Sequence, residues 1–130
     1  MNRKLFLTMV ACVALAVGSV ALLGPGVFLE TGKGALPSEA AKVMMREVGV
    51  LLVAVGLLGW LVRDHPDSPT LRAILVANAV LQVGIFPIEI AAYQRGVFPL
   101  LSGILPNSVF HVLAAAGFAY FAARVTPRPA

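Results

Sequence analysis

The chain has 130 residues, of which 59% are hydrophobic and only 12% charged, with a formal charge of +4. Soluble domains carry about 25% charged residues, so a soluble globular domain is excluded; the apolar residues also come as long runs, not as alternating faces. The positive charge lies in loops and termini, where it serves orientation and contact with anionic lipid, and no basic stretch interleaved with aromatics points to nucleic acid.

A membrane helix needs about 20 mostly apolar residues, and the chain offers four. The first covers 5–23, preceded by Arg3-Lys4. Cys12 lies within it and is the only cysteine. No intramolecular disulfide or thiolate metal site can therefore form, and Cys12 reads as a small packing residue. Gly24 to Pro37 holds several glycines and two prolines and is expected to be a structured or partly re-entrant loop. The second helix covers 39–62 after the N-cap residue Ser38, and includes Arg46 and Glu47. Gly49, Gly56 and Gly59 suit close helix approach.

The polar stretch from Arg63 to Pro69 predicts a tight turn that makes the second and third helices an antiparallel hairpin. Ser68-Pro69-Thr70 opens the third helix, 70–94, because proline fits a first turn and the hydroxyls cap free N–H groups. Gln94-Arg95-Gly96 leads into the fourth helix, 98–123, which Pro106 is expected to kink. The expected fold is all-α: one transmembrane domain over residues 1–130, built as a four-helix bundle.

Arg3, Lys4, Arg63, Arg72, Arg124 and Arg128 fall on one side of the membrane. Lys33, Lys42, Arg46 and Arg95 fall on the other, mixed with Glu30, Glu39 and Glu47. The positive-inside rule then puts both termini in the cytoplasm, as in a multi-pass protein of a bacterial-type inner or plasma membrane.

Ionisable groups at membrane depth mark functional sites. On the third helix Asn78, Gln82, Glu89 and Tyr93 fall in one narrow stripe, which must face other helices or a cavity. On the fourth, Asn107 and His111 are four apart and share a face. At about 1.5 Å per residue, His111 and Gln82 lie near the midplane, with Asn107, Arg46 and Glu89 roughly 6 to 10 Å toward the outer side. The expectation is an outward-opening pocket floored by Gln82 and His111, with Arg46, Glu47 and Glu89 nearer its mouth.

Glu89 and His111 could act there as acid and base, and Arg46 could orient a polar head or oxyanion. Bland alternatives stand beside these roles. Arg46–Glu47 could be a snorkelling interfacial pair, and Glu89 an ion pair with Arg46 or Arg95. His111 could bond Ser108 or a backbone carbonyl. Asn78 and Gln82 could tie helices together, and Tyr93 could belong to the outer aromatic belt.

The segment Met45-Arg46-Glu47-Val48-Gly49-Val50-Leu51-Leu52-Val53-Ala54-Val55-Gly56-Leu57-Leu58 resembles the second helix of small four-helix membrane proteins of the DoxX-like kind. The ending Gly117-Phe118-Ala119-Tyr120-Phe121 is similar too. The resemblance implies a four-helix bundle and no particular activity. The links of that group to quinone-dependent oxidation are not implied here, because no redox motif matches.

The leading expectation is a pocket that binds a lipid-like, isoprenoid or polyketide-like molecule. Any catalysis would be acid–base isomerisation, cyclisation or epoxide opening. No nucleotide loop, metal cluster or flavin fingerprint is present, so no cofactor is expected. The competing expectation is a non-catalytic subunit of a larger membrane complex, with Gly49, Gly56 and Gly59 as a docking face. A homo-oligomer is also compatible with the sequence.

Overall fold

Asn2, Ser38 and Ser68 each turn a side-chain oxygen onto the backbone N–H three residues ahead, at 2.8, 3.2 and 3.1 Å. Each opens a long helix, because such an oxygen satisfies one of the N–H groups that a first turn leaves free. In the computed structural model, which describes residues 2–126, these helices are α1 (Arg3–Leu23), α3 (Glu39–Val62) and α4 (Pro69–Gln94). A short α2 (Pro25–Val27) runs directly into a π-helical turn, Phe28–Lys33, between α1 and α3. The last helix, α5 (Leu101–Arg124), starts three residues later than expected. Pro99 is the cause: it keeps Phe98 out of the helical region.

Four of these helices are long and apolar enough to cross a membrane, and the chain is an all-α four-helix bundle. Arg128, assigned with the inner charges, lies outside the described residues. The pairing differs from the expected hairpin. The short turn does join α3 to α4, but α3 packs mainly on α1 and α4 mainly on α5. Contacts of α5 with α1 and with the π-turn hold the two pairs together.

Glycine explains the α1–α3 pairing. A Cβ on Gly49 would stand 2.6 Å from the Leu22 backbone nitrogen, and one on Gly18 would stand 2.9 Å from the Val53 nitrogen. At Gly56 it would meet Leu15 Cγ at 2.9 Å. Small residues let helix backbones approach closely where lipid offers no hydrophobic drive. Gly49 and Gly56 are thus buried against α1 and are not a free docking face. Gly59 would make only an ordinary contact, 3.6 Å from Ala11 Cβ.

The apolar core lies toward the end of the bundle that carries both termini. Phe6 and Leu7 of α1 meet Leu71 and Leu75 of α4 and Phe118 and Phe121 of α5. Phe6 sits edge-on to Phe118 with ring centres 5.0 Å apart. Just beyond, Asp67 ties three strands of chain together. Its carboxylate accepts from the Arg3 guanidinium and, at 3.0 Å, from the Thr126 backbone N–H.

Two predictions follow from this packing. Gly49→Ala should lower the thermal unfolding temperature in detergent, since Leu22 backbone must move; overpacking costs about 1–3 kcal/mol. Gly84→Ala, where an added Cβ meets nothing within 4 Å, should leave it unchanged or slightly raised. The second concerns pH. The Arg3 guanidinium, aided by Thr126, holds the Asp67 carboxyl below the usual aspartate range. A folded pKa below the unfolded one, near 3.9, stabilises above that value and is lost as pH falls through the folded pKa. Acid melting curves should therefore weaken below about pH 4, and Asp67→Asn should remove that part of the pH dependence.

Candidate functional site

The polar groups that the sequence places at membrane depth do not all converge. Gln82 and Glu89, seven residues apart on α4, face Asn107 and His111 on α5. The cation that meets them comes from neither helix. It is Lys33, the last residue of the π-turn, whose Nζ lies 2.7 Å from Glu89 Oε1. The sequence assigned Lys33 to the outer loop charges; its side chain is instead 8% exposed, and that of Glu89 9%. Glu89 is thus ion-paired as one alternative held, but with Lys33 and not with Arg46 or Arg95.

Two glycines, one on α5 and one ending the π-turn, let the turn deliver Lys33. Gly103 of α5 lets the turn touch that helix: a Cβ there would run into the Gly32 carbonyl oxygen. Gly34 ends the turn in the left-handed conformation, φ +71°, with its N–H donating to Glu30 and Leu29 carbonyls. Lys33 Nζ then donates a second, longer bond of 3.3 Å to the Gly103 carbonyl, with the Phe98 ring 5.7 Å away.

From Glu89 the bonds run on toward the midplane. Asn107 Nδ2 donates to Glu89 Oε1 at 2.7 Å and also lies 3.0 Å from His111 Nε2. An amide nitrogen is only a donor, so Nε2 must accept. The ring proton then sits on Nδ1 and is donated to Gln82 Oε1, at 2.5 Å. His111 is held as one neutral tautomer with both nitrogens spent inside the protein. It bonds Asn107 and Gln82, not Ser108 or a backbone carbonyl. Two buried oxygens have no partner among the described residues: Glu89 Oε2 and Ser108 Oγ. Buried polar atoms are seldom left so.

The remaining expected site residues lie elsewhere. Arg46 and Glu47 are exposed on α3 and take no part in the cluster, because α3 packs mainly on α1 and not on α4 or α5. Tyr93 is 38% exposed at the outer surface. Asn78 points its amide at its own helix, donating to the Ile74 carbonyl at 2.9 Å. It lines a separate, mostly apolar hollow of about 10 Å³ against α1, α3 and Phe118.

A larger groove, of about 440 Å³, opens beside the π-turn and is lined by Leu29, Gly34–Ser38, Ala41 and Gly96–Pro99. None of Gln82, His111, Glu89 and Lys33 lines this groove, so it is not the expected pocket floored by Gln82 and His111. Phe98 is common to the groove and the ion pair, lining the one and facing the ammonium of the other. Chemically, the site offers a desolvated carboxylate with one oxygen unpartnered among the described residues, an ammonium, and a hydrogen-bonded polar chain behind them.

No protein-family model, curated protein or solved structure matches this chain.

Removing half of a buried ion pair leaves the other charge uncompensated, at a cost of about 3–5 kcal/mol. Lys33→Met should accordingly lower the thermal unfolding temperature sharply. Lys33→Met combined with Glu89→Leu should recover much of the loss, because no lone charge remains.

Proposed function

We propose that this multi-pass membrane protein binds a lipid-like small molecule in the outer half of its bundle. The polar end of that molecule would lie at the Lys33–Glu89 pair and its apolar body in the adjoining groove. The observation that carries the proposal is Glu89 Oε2, a buried carboxylate oxygen with no partner among the described residues, in an ion pair that Phe98 divides from an apolar groove. Ligand sites of this kind are mostly apolar with a few convergent polar groups.

The chemistry assigned to the site is acid–base and needs no cofactor. Glu89 would remove a proton from the bound molecule while the Lys33 ammonium gives one back, as isomerisation or cyclisation requires. His111, held through Asn107 and Gln82, would position Glu89 and not touch the substrate. The positive-inside rule supports cytoplasmic termini and an outward-facing groove, in a bacterial-type inner or plasma membrane. The resemblance of Met45–Leu58 to DoxX-like helices supports kinship with that group and assigns no activity.

A second function rests on a different surface. Helix α3 buries only Gly49 and Gly56 and presents Arg46 and Glu47 outward, with no ion-pair partner for either among the described residues. A partner membrane helix bearing opposite charges at that depth would fit an assembly role.

Native mass spectrometry of the purified protein, with extraction of what it carries, tests the first proposal. Wild type should hold a stoichiometric lipid-like adduct. Glu89→Gln, which leaves Lys33 uncompensated and melts lower, should lose it, and so should the charge-free double variant Lys33→Met/Glu89→Leu, which keeps more of its stability. Equal adducts on all three proteins, or none on any, would move the assignment to the assembly role.

A further inference from the structure

We infer that the head group recognised at Lys33–Glu89 is a hydroxyl, carried by a neutral lipid alcohol; this deepens the lipid-binding proposal and rests on it. The unspent hydrogen-bonding capacity decides the class. Glu89 Oε1 already accepts from Lys33 Nζ and Asn107 Nδ2, whereas Oε2 accepts nothing among the described residues. Lys33 carries three N–H donors, of which two go to Glu89 Oε1 and the Gly103 carbonyl. His111 is occupied on both ring nitrogens, by Asn107 and Gln82. What remains is one carboxylate acceptor next to one ammonium donor.

A head group must therefore donate to Oε2 and accept from the ammonium. Quinone and ketone oxygens only accept, so they would leave Oε2 unpaired and place lone pairs against a carboxylate. A fatty acid or phosphate anion would bring a second negative charge into a desolvated site beside Glu89, and an amine a second positive charge beside Lys33. A hydroxyl is neutral and does both jobs with one oxygen.

The groove fits the rest of such a molecule. None of its lining residues is charged. Leu36 and Val97 at its walls are 96% and 55% exposed, apolar surface on which an alkyl chain could lie. Phe98 has to turn aside for the hydroxyl to reach the pair. It lies in the non-helical segment between α4 and α5, two residues after Gly96 with its φ of +70°.

The test uses full-length protein in lipid nanodiscs and a long-chain alkyl alcohol bearing a diazirine. Photolabelling should fall on the segments 34–37 and 96–99. Unlabelled alcohol should displace the probe about tenfold better than its methyl ether or the matching carboxylic acid, the size of one lost hydrogen bond to a charged group. In Glu89→Gln the alcohol–ether difference should shrink. Ether or acid competing as well as alcohol against wild type would overturn the hydroxyl assignment while leaving the lipid site standing. Absence of groove labelling by any of these probes would overturn the lipid-binding proposal itself.

Discussion

Lys33 and Glu89 are each far too costly to bury alone, and each is tolerable only because the other is 2.7 Å away. Desolvation costs several kcal/mol per ion even after relaxation, and mutual attraction returns enough only when geometry and further hydrogen bonds are good. Here the further bonds are the Gly103 carbonyl on the lysine and the Asn107 amide on the glutamate. The pair is thus a constraint more than a source of stability. It fixes where the π-turn must end and which face α4 presents. It also sets how closely α5 approaches the turn at Gly103, where no side chain fits.

The rest of the bundle follows from that geometry. Two tightly matched pairs, α1 on α3 through glycines and α4 on α5 through the polar chain, meet over the phenylalanine core at the end that carries both termini. Toward the other end the π-turn lies against α5, and the groove opens beside it. Directed bonds hold His111 in one tautomer, so the carboxylate faces a fixed partner set. The buried side-chain atoms left without a hydrogen-bond partner among the described residues are Glu89 Oε2 and Ser108 Oγ.

Much of this was legible in the residues. The apolar runs, the serine caps and the turn at Arg63–Pro69 placed four helices within a few residues of their observed limits. The i,i+7 pair Gln82/Glu89 and the i,i+4 pair Asn107/His111 identified the two polar faces that meet. Helix pairing was not legible, because a short connection says only that two elements are neighbours in sequence. The packing partner depended on what surrounds Gly18, Gly49 and Gly56. Lys33 was missed because periodicity has no hold on a loop rich in glycine and proline. The available signals were that Glu89 needed a cation and that a glycine able to end a turn at positive φ, Gly34, directly follows a lysine. Arg46 misled because depth along a helix says nothing of which way it is rotated.

The sequence distance between the two halves of the ion pair, 56 residues, bears on how the protein is made. A ribosome adding about 5–20 residues per second would release Lys33 several seconds before Glu89. Over that interval α1 and α3 can enter the bilayer and close on their glycines, while a lysine without its counter-charge is held back at the headgroups. Glu89 in turn gains a reason to settle in α4 only when Lys33 comes down to meet it. The π-turn would then be the last piece to seat, and the order of synthesis would be written into the membrane insertion of the whole chain.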